Sequence, residues 1–86
     1  MAAYVYVIGA RGLDGRALTY VGWTLDLDRR LAEHNGKARG AKSTRARKWL
    51  LLYAEKYRTR KGAMKREYVL KKDRLFRAQL RRNDGG

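Results

Sequence analysis

One stretch decides how this chain folds: residues 19–34, TYVGWTLDLDRRLAEH. It predicts the end of a strand, a glycine turn and then an amphipathic helix. At about 100° per residue, Leu27 and His34 share one face of that helix. Arg30 falls on the edge of the same face, roughly 60° from Leu27, whereas Arg29 falls on the opposite side. An arginine and a histidine beside a buried face, just after a tyrosine-glycine turn, are parts from which a phosphate site can be built.

The charge of the chain indicates its class of partner. Its 86 residues carry 22 Lys and Arg against 8 Asp and Glu, a net charge of +14. So basic a chain attracts polyanions, and nucleic acid is the partner we expect. The alternatives are a merely soluble basic protein, or one bound to an anionic membrane or the ribosome. The length predicts one domain over 1–82 with a disordered tail at 83–86.

Composition also excludes several classes of site. The chain has no cysteine and one histidine, so cysteine-bound zinc and a cage of several histidines are excluded. A metal here would be held mainly by oxygen, which favours Mg²⁺ or Mn²⁺. No apolar run approaches the roughly 20 residues of a membrane-spanning helix, and residues 2–10 do not resemble a signal peptide. We therefore expect a cytoplasmic protein without a membrane partner.

The remaining sequence predicts an α+β fold. Residues 3–8 and 16–21 are typical of strands, and the glycines of 9–15 predict the turn of a hairpin. The apolar run 49–54 predicts a third, buried central strand. Helices are predicted after Asp26, after Thr59 over 60–72, and over 74–82. The expected architecture is a three-stranded sheet, a hairpin plus one central strand, flanked by three helices.

Two further features carry chemistry. Glu67 falls in the middle of the helix face that should pack on the sheet. A carboxylate there should be protonated, bound to a metal or, equally, paired with an arginine. Residues 37–48 form a basic segment, either a solvated connector or, as we expect, a phosphate contact. Trp23 either stacks on a base or belongs to the core. The residues expected to bind nucleic acid are Trp23, Arg29, Lys37, Arg39, Lys42, Arg45, Arg47 and Lys48.

The order of these elements resembles the GIY-YIG endonuclease superfamily. Residues 4–6, Tyr-Val-Tyr, look like the GIY element with tyrosine for its glycine, and residues 20–22, Tyr-Val-Gly, look like the YIG element. Arg30 stands where the family has its catalytic arginine, and His34 matches a histidine or tyrosine of many members. Glu67 stands where the family has its metal-binding glutamate. The segment 40–42 is similar to that of small bacterial members and of related structure-selective nucleases.

The resemblance implies a role for each of five residues. Glu67 would hold one Mg²⁺ or Mn²⁺ ion, and Arg30 would stabilise the negative charge that develops on the phosphate. Tyr6 would be the general base, with the ion, Arg30 and other cations lowering its pKa from about 10. Tyr20 would position the water or share that role. His34 would orient a tyrosine or relay a proton.

The function implied is hydrolysis of DNA phosphodiester bonds in branched, nicked or duplex substrates. The chain lacks the separate DNA-binding domain of some relatives, which favours selection of DNA structure, or a partner protein that selects the substrate. The alternatives are a non-catalytic nucleic-acid-binding module on the same scaffold and an unrelated RNA-associated protein. DNA repair or processing near the nucleoid is the expected setting.

Overall fold

The computed structural model describes residues 2–11, 15–35 and 48–85. The strands within these ranges form one antiparallel sheet in the order β2-β1-β3. This confirms the predicted α+β fold class, with a hairpin, a third strand and three helices. In chain order the elements are β1 (Ala3–Arg11), β2 (Ala17–Thr24), α1 (Leu27–His34), β3 (Leu50–Tyr57), α2 (Arg60–Lys72) and α3 (Arg74–Gly85).

The central strand of the sheet is β1. Residues 5–8 are buried one after another, since β1 has a strand on each edge and packed side chains on each face. The prediction that the third strand is central is wrong, because β3 lies at an edge. Leu50 and Leu51 are 51% and 42% exposed. A continuous apolar run signals a buried strand, but it does not determine which strands pair.

The hairpin is longer than the sequence predicts. Strand β1 continues through Gly9, which pairs with Thr19, to Arg11, so the turn is shorter than residues 9–15. A Cβ atom at Gly9 would lie 2.6 Å from Cδ1 of Leu52 on the neighbouring strand. The glycine therefore permits close packing within the strand and does not mark its end.

The helix boundaries follow their predicted caps. The side chain of Asp26 accepts a hydrogen bond from the backbone N–H of Arg29 at 3.1 Å, and that of Thr59 accepts from Gly62 at 3.0 Å. These caps satisfy N–H groups that have no partner within the first turn. Helix α3 runs from Arg74 to Gly85, and the predicted disorder of the tail 83–86 stays a prediction. None of the helices in the described ranges is long and apolar enough to cross a membrane.

The two faces of the sheet have different cores. The face covered by α2 and α3, called here the aliphatic face, contains a buried cluster of small and branched side chains. The face covered by α1, called here the aromatic face, contains rings and one buried histidine, His34. The aliphatic face consists of Ala3, Val5, Val7, Val21, Ala63 and Leu70, and the aromatic face of Tyr6, Ile8 and Trp49 with Tyr20, Leu27 and Leu31 packed against them.

Candidate active site

A buried hydrogen bond lies at the centre of the aromatic face. The hydroxyl of Tyr6, on β1, is 2.8 Å from Nε2 of His34, at the end of α1. Both residues are almost fully buried, at 1% and 0% exposure. The amphipathic pattern of α1 turns His34 toward the sheet, and the strand alternation directs Tyr6 to the same face. The sequence predicted this inward histidine, and its contact is a tyrosine.

Tyr20 completes a cluster of rings around the imidazole. Its ring centroid is 4.9 Å from that of His34 and 6.5 Å from that of Tyr6. The ring of Trp49 contacts the Tyr20 ring in a T-shaped arrangement, with 6.4 Å between the two centroids. Such separations are typical of favourable aromatic contacts. The two tyrosines of the hairpin therefore converge, as their strand positions predicted.

Gly22 makes room for the Tyr6 hydroxyl. The two residues face each other across β1 and β2. A Cβ atom at Gly22 would lie 2.5 Å from the Tyr6 hydroxyl oxygen and 2.7 Å from the carbon that carries it. The glycine is thus required by the position of the phenol, since a larger residue would displace it.

Arg30 brings a positive charge to this cluster from one turn earlier on α1. Its side chain is 27% exposed, whereas that of Arg29 is 68% exposed, which confirms the predicted orientation of the helix. The guanidinium interacts with the Tyr6 hydroxyl and favours its ionised form. Its other partner is Glu33, whose Oε1 lies 3.1 Å from Nη1. Arg30 is therefore held between a phenol and a carboxylate.

Glu67 reaches the same region from α2. Its negative charge raises the pKa of Tyr6, so the carboxylate lies within electrostatic reach of the phenol. Ala63 and Leu70, on either side along the helix, are buried. Glu67 itself is 22% exposed and 3.7 Å from Nζ of Lys71, so it is less buried than its helix position predicted. Water and Lys71 reduce the cost of keeping it charged.

The protein groups alone raise the pKa of Tyr6. Burial raises it to about 12, and this effect exceeds the opposing effect of Arg30. Arg30 lowers this pKa as expected, but it does not offset burial, and the contribution of a metal ion stays a prediction. Burial and the charge of Arg30 lower the pKa of His34 below 6.5. At neutral pH the pair therefore consists of a neutral phenol and a neutral imidazole.

A cleft of about 490 Å³ opens beside Arg30. Trp23 lines it and, partly buried, also packs against the aliphatic core, and its contact with nucleic acid stays a prediction. Arg29, also predicted to bind nucleic acid, lines the same cleft. The full lining is Trp23, Thr24, Leu25, Asp26, Arg29, Arg30 and Glu33.

The other predicted contacts to nucleic acid lie in the basic segment. Lys48 is exposed at the start of the segment that leads into β3. The remaining five, Lys37, Arg39, Lys42, Arg45 and Arg47, lie outside the described residues.

Sequence reasoning missed two residues of the site. Glu33 bridges Arg29 and Arg30, at 3.7 and 3.1 Å, and its spacing of four and three residues from them was a usable signal. The side-chain amide of Asn35 donates to the carbonyl of Trp49 at 2.9 Å and accepts from its N–H at 2.5 Å. The contact between Asn35 and Trp49 joins residues that are distant in sequence, so no local sequence pattern predicts it.

The carboxylates near Tyr6 can be compared with the ligands that a divalent ion requires. Within the described ranges, no three His, Cys, Asp or Glu side chains form a group that could hold a metal. Glu67 offers one partly exposed carboxylate within electrostatic reach of Tyr6, and Mg²⁺ is commonly held by one or two carboxylates while it keeps several waters. These residues fit a single hydrated divalent ion.

The fold and these residues define the class of the protein. The chain belongs to the GIY-YIG family, because the model of the GIY-YIG catalytic domain matches residues 2–79. This family is a nuclease family whose members generally use a divalent metal. The resemblance noted in the sequence is therefore confirmed.

Its relatives include small proteins named UPF0213. The chain is 42% identical over 71 residues to a UPF0213 protein of Desulfotalea psychrophila, a match that covers 81% of this chain and 61% of the relative. It is 44% identical to one of Halobacterium salinarum, over 88% of this chain and 91% of the relative. The solution NMR structure of UPF0213 protein BH0048 from Bacillus halodurans aligns with all of this chain and 88% of its own, at 35% identity and a TM-score of 0.49.

Proposed function

We propose that this protein is a metal-dependent endonuclease that hydrolyses DNA phosphodiester bonds and selects DNA by structure rather than by sequence. The proposal rests on one observation: Tyr6, Tyr20 and His34 form one buried cluster, and the charges of Arg30 and Glu67 act on the Tyr6 hydroxyl from α1 and α2. All five are ionisable side chains with chemistry suited to phosphoryl transfer.

In the proposed mechanism, Arg30 carries the main electrostatic role. Its guanidinium is always charged and can donate two parallel hydrogen bonds to phosphate oxygens. Glu33 holds it at the edge of the cleft before DNA binds. When a phosphate enters, the guanidinium stabilises the negative charge that grows on the phosphate oxygens as water attacks.

Tyr6 and His34 accept the proton that the attacking water loses. Because the pKa of Tyr6 is about 12, its phenol does not act as a free phenolate at neutral pH. We therefore assign a relay: the Tyr6 oxygen takes a proton from water while its own proton passes to Nε2 of His34. Tyr20, against the same imidazole, positions the water.

Glu67 is the proposed ligand of a single Mg²⁺ or Mn²⁺ ion. Such an ion, when bound, polarises a phosphate oxygen and stabilises the leaving alkoxide. The carboxylate meets the requirement because it is partly exposed and close to Tyr6.

The basic surface supports binding without base recognition. A net charge of +14 gives affinity for phosphates of any sequence. We propose that branched, nicked or duplex DNA is the substrate, that a partner protein contributes to its selection, and that the protein works on the nucleoid in the cytoplasm.

The decisive experiment is a cleavage assay on labelled flap, branched, linear and supercoiled DNA with Mg²⁺ or Mn²⁺. Glu67→Gln should abolish cutting while DNA binding persists. Asp28→Asn is the matched control, because it removes one exposed carboxylate from α1 and should leave cutting unchanged. Salt-sensitive binding by the wild type without cutting of any substrate would replace the endonuclease with a non-catalytic binding module.

A further inference from the structure

A second basic site lies on the aliphatic face of the sheet, away from the Tyr6–His34 pair. Arg74, Arg77 and Arg81 form a stripe along α3, and together with Thr19 of β2 they line a pocket of about 230 Å³. Thr19 alternates with Tyr20 along β2, so its side chain is on the opposite face from the ring cluster. The pocket is therefore separate from the cleft beside Arg30.

No carboxylate of the described residues forms an ion pair with these three arginines. Four of the acids are engaged elsewhere, and the three arginines give the pocket a concentrated positive charge. Glu33 is paired with Arg29 and Arg30, Glu55 with Arg66, and Glu67 with Lys71, and Asp73 accepts a hydrogen bond from the backbone of Phe76.

Two of the three guanidinium groups are held by hydrogen bonds to backbone carbonyls. Nη2 of Arg77 donates to the carbonyl of Lys71 at 2.8 Å, and Nη1 of Arg81 donates to the carbonyl of Ala17 at 3.4 Å. Nε of Arg77 is buried and has no hydrogen-bond partner within the described part of the chain. Fixed cations without a counter-charge are ready to bind an anion, because little side-chain freedom remains to be lost.

We infer that this pocket binds backbone phosphates of a DNA segment that lies outside the active site, an inference that rests on the proposed function. Arginine guanidinium groups and threonine hydroxyls are typical hydrogen-bond donors to phosphate oxygens. Strand β2 is an edge of the sheet, so DNA that passes along this edge can contact both faces. The site thus extends the contact area to a second segment or arm of the substrate and selects for DNA long enough to reach it.

The test measures equilibrium binding without divalent ions, so that cutting plays no part. The probe is a fluorescein-labelled duplex of about three helical turns, with 10–10.5 base pairs per turn. The Arg74→Gln/Arg81→Gln double variant is compared with Lys61→Gln/Lys65→Gln, which removes the same charge from exposed positions of α2. The slope of log K against log salt should fall by about two for the arginine variant, since each phosphate contact contributes about 0.9. The lysine variant should keep a slope near that of the wild type.

A second measurement does not depend on the stability of a variant. The Nε–H resonance of Arg77 in the wild type should shift when the duplex is added, and inorganic phosphate at equal ionic strength should produce a smaller shift. Equal slopes for the two double variants would overturn the inference, as would an Arg77 resonance that DNA leaves unmoved. A larger shift with inorganic phosphate than with DNA would also overturn it, because the pocket would then bind a free anion.

The two proposals fail in different ways. Wild-type protein that binds DNA through the arginine pocket but never cuts would refute the endonuclease and leave this site standing. Wild-type protein that cuts, with an arginine variant that binds like the lysine control, would refute this site alone.

Discussion

The two faces of the sheet share the same central strand but are built from different chemistry. On the aliphatic face, Val5 and Val7 pack against Leu70 and other apolar side chains. On the aromatic face, Tyr6 lies between those valines in sequence and forms a buried hydrogen bond with His34. A buried polar group is costly unless it has a partner, so the paired Tyr6 and His34 distinguish the aromatic face, on which we propose the active site.

The aliphatic face also contains a charged side chain, the carboxylate of Glu55. Its contacts are those of a group that stabilises the fold. Glu55 receives a two-point contact from Arg66, at 3.0 and 3.2 Å, and the hydroxyls of Tyr53 and Tyr57 donate to its two carboxylate oxygens. Its pKa is lowered by these donors against the effect of burial. Because every Glu55 oxygen is occupied by protein donors, the group is suited to stability. Arg30, by contrast, faces a cleft.

The largest effect expected on the aromatic face is that of Arg30→Ala. Loss of one group that stabilises transition-state charge typically lowers kcat by about 10²–10³-fold. Arg29→Ala removes the same charge from the exposed side of α1 and should mainly weaken binding, with a salt slope lower by about one. Steady-state kinetics on a flap substrate distinguish the two. Equal losses of kcat in both variants would show that Glu33 and α1 orient them for the same role.

The next prediction compares the faces directly. Leu70→Ala, in the aliphatic core, should lower the free energy of unfolding by about 3 kcal/mol because it leaves a cavity. Tyr6→Phe should cost about 1 kcal/mol, since the ring stays and one hydrogen bond is lost, yet it should lower kcat by about 10²-fold. Urea unfolding and cleavage are measured at a temperature where both variants are folded. A cleavage defect of equal size in Leu70→Ala would contradict the assignment of stability to the aliphatic face and of chemistry to the aromatic face.

A smaller effect should link Gly22 to Tyr6. Gly22→Ala places a methyl group 2.5 Å from the Tyr6 hydroxyl and should destabilise the protein by about 2 kcal/mol through overpacking. In the Tyr6→Phe background the same substitution should cost less, by about 1 kcal/mol, because the obstructing oxygen is absent. A double-mutant cycle of unfolding free energies measures this coupling. Strict additivity would mean that the ring carbon at 2.7 Å, and not the hydroxyl oxygen, determines the cost of the new methyl group.

The smallest effect concerns pH. The pKa of His34 is lowered in the folded protein, so the unfolded chain binds a proton more readily below its ordinary value of 6.5. The stability that His34 contributes is complete above pH 6.5 and is lost as pH falls through the folded pKa. Urea unfolding at pH 7.5 and at pH 5 should show this loss in the wild type and not in His34→Gln. Since the chain has one histidine, an equal loss in both would assign the effect to carboxylates.

Local patterns predicted the parts of the site that depend on one element. The phase of α1 placed Arg30 and His34 inward and Arg29 outward, and the caps at Asp26 and Thr59 began the helices correctly. Period and capping are properties of a few neighbouring residues, so the sequence contains them in full.

The features that depend on contacts between several elements could not be predicted from local sequence patterns. The order of the strands places β1 between two partners, and neither its alternation nor the apolar run of β3 contains that information. Burial outweighs Arg30 in setting the pKa of Tyr6, and burial follows from packing around the whole residue. Gly9 was interpreted as a turn because the position of Leu52 on another strand was unknown.

The paired contacts between Asn35 and Trp49 have a consequence for the position of His34. They join the chain where α1 ends to the chain just before β3, so residues 36–48 start and finish at one fixed point. The two hydrogen bonds therefore fix the end of α1, and with it His34, relative to the chain that enters β3. Asn35→Ala should loosen this connection without removing any group of the Tyr6–His34 pair.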